Sequence, residues 1–396
     1  MKTLWFVPVL FLVSCAEGGE EDRPQSEVKI AAQHHLFALR SLAGFGQFPV
    51  PANAVQTDRG LLNLFDDSTY TVTRASGTSG ADRYALENDG TFSIYVTGSG
   101  NEPSQVFLGG YGLVANEPDY FFTDRVTSNG SPRIGMFFGT RLVTGQVELE
   151  GAWHVLSLHV VFDQTILSPS NVGRGAHGAV SITAGAPGTQ RTISGTGFQG
   201  TSALTFGGTI QNLLDAENNG TGAMNLTLDY QLTGQAADAR IIESAGTENV
   251  IFGVDENSGD GEAGLLTMIR KFDAPTTPVD SVRVPGTFLV GGHTLFVNPS
   301  NSGSDSFIGT VTLTPQGGFR LDATGNTGAD FSYIGTYSLA ADGGLTISIS
   351  GTNETWFAAI DKSYNSFAFV DDFEELRPNN IPELNFGFGV RQADAP

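Results

Sequence analysis

Apolar and polar residues alternate through much of the second half of the chain. In LTISIS, Leu345, Ile347 and Ile349 fall on one face and Thr346, Ser348 and Ser350 on the other. In LNFGFGVR, Leu384, Phe386, Phe388 and Val390 share a face. Successive side chains on a strand point to opposite sides, so a period of two predicts half-buried strands. Eight such stretches run from residue 286 to the end: GTFLVGGHTLF, SFIGTVTLT, FRLDAT, SYIGTYSLA, LTISIS, TWFAAID, SFAFVD and LNFGFGVR. Short turn sequences join them, such as Pro315-Gln316-Gly317-Gly318 and Asp342-Gly343-Gly344, which predicts antiparallel neighbours. Helical spacing occurs in one place. VKIAAQHHLFALRSL, residues 28–42, sets Ile30, Ala31, His34 and Phe37 near one stripe and predicts a short helix, with a first strand as the alternative.

The same grammar recurs upstream. GAVSITAGAPGTQRTISGTG (178–197) echoes GTVTLTPQGGFRLDATGN (309–326), and RYALENDGTFSI (83–94) echoes TYSLAADGGLTI (336–347). Closing signatures follow in the same order: YFFTD (120–124) before MFFGTR (136–141), VIFGVD (250–255) before LLTMIR (265–270), and FAFVD (367–371) before FGFGVR (386–391). Three domain-sized units follow, 28–145, 146–280 and 281–396, the second ending in the proline-rich DAPTTPVD. The fold class is all-β: tandem antiparallel meanders, as small eight-stranded barrels or as a curled sandwich whose units share sheets. Closure into barrels removes the exposed edges that invite aggregation. The openings Gly286-Thr287-Phe288 and, more closely, Gly151-Ala152-Trp153 resemble the Gly-x-Trp start of lipocalin-type barrels.

The amino terminus supplies an address. MKTLWFVPVLFLVSC has one positive side chain, Lys2, then an apolar run from Leu4 to Val13, then small residues and the chain's single cysteine. The run is too short to span a bilayer but suits the core of a signal peptide. Leu12-Val13-Ser14-Cys15 resembles the lipobox of bacterial lipoproteins. That resemblance implies removal of residues 1–14, acylation of Cys15, and a membrane partner held through lipid. Several acyl chains anchor durably, each buried methylene adding about 0.8 kcal/mol. In that family an aspartate after the cysteine often marks inner-membrane retention. Ala16 stands there, so the resemblance implies the outer membrane or cell surface. Residues 15–27 then form an acidic, glycine-rich tether.

Composition sharpens the picture. Fifty-one glycines favour strands and turns, and 28 phenylalanines supply a large core. The formal charge of −22 argues against nucleic acid and against electrostatic docking on anionic lipid.

Candidate chemistry is sparse. The turn after each penultimate strand is acidic, beginning at Asp124, at Asp255 and at Asp371. Calcium takes six to eight hard oxygen ligands. Asp255, Asn257, Asp260 and Glu262 in DENSGDGE, with Asp371 and Asp372, form its candidate set, although the spacing departs from a helix–loop–helix calcium loop. The six histidines lack HxH or HxxxH spacing and read as structural. No G-x-S-x-G elbow or phosphate loop is present, so the reading leans away from an enzyme. Trp153, Trp356, Tyr95, Tyr111 and Phe331 read first as core and second as walls of a ligand cavity. The function expected is non-enzymatic binding of a small apolar ligand or an envelope protein. A structural spacer and a hydrolase of envelope polymer are the alternatives.

Overall fold

The computed structural model describes residues 26–42, 54–77, 79–97, 103–113, 119–124, 133–161, 173–186, 188–214, 220–255, 262–296, 303–326, 328–371 and 383–393. These residues form 24 strands in three closed antiparallel barrels, each of eight consecutive strands. The first contains β1 Ala32–Leu42, β2 Val55–Leu64, β3 Thr69–Arg74, β4 Ser79–Leu86, β5 Thr91–Thr97, β6 Pro103–Tyr111, β7 Asp119–Asp124 and β8 Arg133–Thr140. The second contains β9 Gly151–Val161, β10 Gly173–Ile182, β11 Arg191–Gln199, β12 Ser202–Leu214, β13 Gly220–Leu232, β14 Asp238–Gly246, β15 Val250–Asp255 and β16 Glu262–Arg270. The third contains β17 Gly286–Phe296, β18 Gly303–Leu313, β19 Gly318–Gly325, β20 Asp330–Leu339, β21 Gly344–Ile349, β22 Thr355–Ile360, β23 Ser366–Asp371 and β24 Glu383–Arg391. First and last strands pair in every barrel, β1 with β8, β9 with β16 and β17 with β24. Each sheet closes on itself, so the shared-sheet sandwich does not form.

The helix expected over 28–42 is instead β1. Its residues His34 to Leu39 are buried without a break. Leu36 and Ala38 join the interior of the first barrel, while Phe37 and Leu39 point outward into a second core. A strand covered on both faces loses its period of two, and the surviving apolar run imitates a helical stripe. The same cause corrects the reading of LNFGFGVR. LTISIS is half-buried, but β24 is buried on both faces. Its apolar side, Leu384 to Val390, points out of the barrel, and Asn385, Gly387 and Gly389 point in. A Cβ at Gly387 would lie 2.2 Å from the Phe369 ring, which occupies that space.

Each barrel interior is filled by its own cluster. Tyr84, Phe92 and Phe137 fill the first, Trp153, Phe206 and Met224 the second, and Phe288, Ile347 and Trp356 the third. A fourth cluster lies between the barrels, where their first, seventh and eighth strands face one another. Phe138, Phe252 and Phe388, one from each barrel, meet there, with ring centroids 4.9 Å apart for the first pair and 4.8 Å for the second. Close approach of the first and third barrels depends on Gly291, where a Cβ would sit 2.4 Å from the Phe121 ring.

The barrels stand side by side with corresponding ends aligned. At the end where β1, β9 and β17 finish, here the far end, the Ser41 hydroxyl lies 3.0 Å from His293 Nε2 and also meets Ser304. Thr57 Oγ1 donates to the Asp255 carbonyl (3.0 Å) at the same end. At the near end, Ser366 Oγ donates to Asp119 (2.9 Å) and His35 Nε2 lies 2.7 Å from the Thr221 carbonyl. Ser26, the first described residue, is also at the near end, where its Oγ accepts from the Leu86 amide (3.1 Å). Arginines seal this end. Arg270 covers the Trp153 ring at 4.9 Å and donates to the Glu148 and Glu150 carbonyls, and Arg391 covers Phe288 at 4.6 Å.

Candidate functional site

The seventh strand of the second barrel ends in Asp255 and that of the third in Asp371; the eighth strands begin with Glu262 and Glu383. Neighbouring antiparallel strands therefore bring an Asp and a Glu to the far-end mouth of each of these two barrels. In the first barrel Asp124 ends the seventh strand and Arg133 starts the eighth.

In the second barrel the mouth is an ion network. Arg240, only 3% exposed, lies with Nη1 3.1 Å from Asp255 Oδ2 and Nη2 2.5 Å from Glu262 Oε2, and also meets Asp238. Arg174 Nη1 is 2.7 Å from Glu262 Oε1. His159 sits between Asp255, at 3.6 Å, and the Tyr230 hydroxyl, at 3.3 Å. Burial pushes the Glu262 carboxyl above its usual range against the pull of His159, Arg174 and Arg240. Burial opposes charge on Arg240 as well, but Glu262, Asp238 and Asp255 outweigh it and hold the guanidinium above its ordinary value. Asp255 and Glu262 thus come together, and the positive charge they face is that of arginine. Asn257 and Asp260 lie outside the described residues.

In the third barrel Asp371 accepts from the Asn385 backbone amide (2.6 Å) and from its side-chain amide. Thr294 Oγ1 donates to Asn385 Oδ1 (2.6 Å), and Trp356 Nε1 donates to Glu354 (2.6 Å). Burial raises the Asp305 carboxyl, while the Asn326 and Ser306 amides pull it back. A cavity of ≈ 350 Å³ opens here, with Phe331, Tyr333 and Trp356 on its walls and Asp305 and Glu383 on its polar side. Of the aromatics considered for a cavity, Trp153, Tyr95 and Tyr111 are buried core, whereas Trp356 and Phe331 reach this mouth. Asp372 and Cys15 lie outside the described residues. Among the described residues no group of three or more His, Cys, Asp or Glu side chains is placed to hold a metal ion.

Sequence reasoning missed Arg174, Arg240, Asp305 and Glu354. They sit within or beside strands, outside any motif, and only strand-by-strand alignment of the repeat places them at the mouths. It also missed where the histidines go. His35, His154, His177 and His293 lie between barrels, and His34 and His159 lie inside them.

No family model and no curated protein matches the chain. Among solved structures it is similar to a double mutant of the vaccine antigen transferrin-binding protein B from Haemophilus parasuis, at 8% identity and a TM-score of 0.29 over 92% of this chain and 76% of that one. A single mutant of that antigen gives 7% identity and 0.32 over 93% and 77%. The isotype 1 transferrin-binding protein B of serogroup B Neisseria meningitidis gives 11% and 0.30 over 93% and 78%. Likeness at these scores carries no argument about what this chain binds.

Proposed function

We propose that the chain is a lipid-anchored, non-enzymatic binding protein of the cell envelope. It is held through Cys15 and takes a small ligand in the far-end mouth of the third barrel. One observation carries this reading: Ser26, where the tether joins the body, is at the near end, and the aromatic-walled cavity is at the opposite end. An anchor on the tether side leaves that mouth turned away from the membrane. Apolar walls with a few convergent polar groups suit a small molecule, and carboxylates on one side suit a positive group upon it. Calcium at the loops after Asp255 and Asp371 belongs to the same reading. The filled interiors of the first two barrels favour a second one, a rigid spacer.

The test begins with the full chain extracted from membranes and weighed by native and then denaturing mass spectrometry. Mass lost on denaturation, diminished by Trp356→Ala in a protein that keeps its fold, supports the binding reading, and a retained calcium ion would appear in the same spectra. A bare lipidated polypeptide in both spectra favours the spacer. Cys15→Ser should move the protein into the soluble fraction; continued membrane attachment would sink the anchor.

A further inference from the structure

A second cavity lies apart from the barrel mouths, in the seam between the second and third barrels. Its volume is ≈ 690 Å³, within the range of small-molecule sites, which favour interfaces between domains. Its floor is an aromatic stack contributed by both barrels. His177 of β10 stacks on Phe357 of β22, with centroids 3.4 Å apart and planes within 11°. Phe198 of β11 stacks on the His177 side, at 5.8 Å and 25°. Phe198 is 48% exposed. The stack fixes its ring while leaving much of it open to the cleft.

The rest of the lining sets apolar residues such as Leu156, Leu204 and Leu339 beside a smaller set of polar groups that carry no net charge. Lys271 Nζ and Asp342 Oδ2 are paired at 2.7 Å. His154 Nε2 lies 3.2 Å from the Asp342 carbonyl, and burial holds its imidazole neutral against the pull of Asp342. Thr196, Thr205 and Thr346 on the walls are exposed residues. A charge-balanced cleft is notable in a chain whose formal charge is −22. It selects against ions of either sign.

We infer that this cleft binds a neutral sugar ring, with the C–H face of the pyranose on Phe198 and its hydroxyls directed to the Lys271–Asp342 pair and the threonines. An aromatic face carries the negative lobe of its quadrupole and attracts polarised C–H groups. Paired charges supply charge-assisted hydrogen bonds to hydroxyls without demanding a counter-charge. A purely apolar ligand would strand those polar groups, and a charged one would break the ion pair. The inference is independent of Cys15 and of the third barrel's mouth.

The test uses the full chain in detergent on an array of neutral and charged mono-, di- and oligosaccharides, presented free and on peptides. Saturation-transfer NMR then maps the bound sugar. The expected result is binding of neutral glycans, with saturation on one ring face. Phe198→Ala should lose at least ten-fold in affinity and Phe198→Trp should retain it, both with the parent melting midpoint because the site is exposed. Binding of free and peptide-borne glycans alike assigns the ring itself; binding only on peptides assigns a glycoprotein. No bound glycan, equal binding by Phe198→Ala, or binding confined to charged glycans would overturn the inference.

Discussion

Arg240 of the second barrel and Glu354 of the third occupy the same position. Asp255 pairs across the ladder with Ile242, and Asp371 with Trp356. Arg240 and Glu354 each lie two residues before those partners. Arg174 and Asp305 correspond likewise, facing His159 and Thr294. One framework of acids therefore meets guanidinium groups in one barrel and further carboxylates in the next.

The first prediction follows from that network. Arg240→Ala leaves Asp255 and Glu262, both nearly buried, short of their principal counter-charge. Removing one partner of a buried pair costs about 3–5 kcal/mol. Denaturant unfolding of the variant should show a loss of that order, and Glu354→Ala should cost less. Equal losses at the two positions would show that the ion network contributes nothing special.

The second prediction concerns acid. Burial lowers His293 to about 3 and His177 to about 4, and it also lowers His35 and His154. Each lies between barrels. In the unfolded chain these imidazoles titrate near 6.5. As pH falls below that value the unfolded state takes up protons that the folded state refuses, so stability present above pH ~6.5 drains away toward pH ~4. Each such histidine contributes about 1.4 kcal/mol per pH unit within its window. Glu262, Asp305 and Asp361 are pushed up and act in the opposite sense, so a difference between variants is needed. His293→Gln should flatten the fall in unfolding free energy between pH 6 and 4 by about one proton's worth; an unchanged slope would refute the assignment.

Much of the architecture was legible in the chain. The eight alternating stretches after residue 286 correspond to β17–β24, because their turns are short and most of their faces are unequal. What alternation concealed was the packing of barrel on barrel. β1, β15, β16, β23 and β24 carry apolar residues on both sides, and nothing local tells a strand between two cores from a helical stripe. The mouths were half legible. Asp255, Glu262 and Asp371 stand out at strand ends beside acidic turns. Arg174 in GRGAHGAV and Arg240 in DARIIESAG resemble any surface arginine until closure brings β10, β14 and β16 around one opening. The cleft holding Phe198 could not be read from sequence, since its floor joins His177 to Phe357, 180 residues further along the chain.

A third prediction tests whether the central core makes one folding unit of three barrels. Phe252 touches Phe138 of the first barrel and Phe388 of the third. Truncating a fully buried phenylalanine costs about 3–5 kcal/mol. Phe252→Ala should remove that much from inter-barrel contact while leaving the second barrel's own interior intact. Calorimetry should then show one transition for the parent and separated transitions for the variant. A lower but still single transition would mean that the barrels are coupled mainly through hydrogen bonds such as Ser41 to His293.

Arg391 offers the sharpest test at the near end. It is the last residue of β24, the strand that closes the third barrel against β17. Its Nε donates to the Tyr364 carbonyl at 2.6 Å, Nη1 to Pro285 at 3.0 Å and Nη2 to Arg283 at 2.9 Å, with the guanidinium lying over Phe288. A lysine keeps the charge but lacks the planar fork that reaches four carbonyls, that of Val284 being the fourth at 3.2 Å, and a ring face together. Arg391→Lys should therefore cost about 1–3 kcal/mol, through carbonyls left unpaired and a lost cation–π contact. Hydrogen exchange should quicken at residues 283–288 and 364–366 while β19–β21 keep their protection. If Arg391→Lys matches the parent in both stability and exchange, charge alone holds the seal and the fork geometry is incidental.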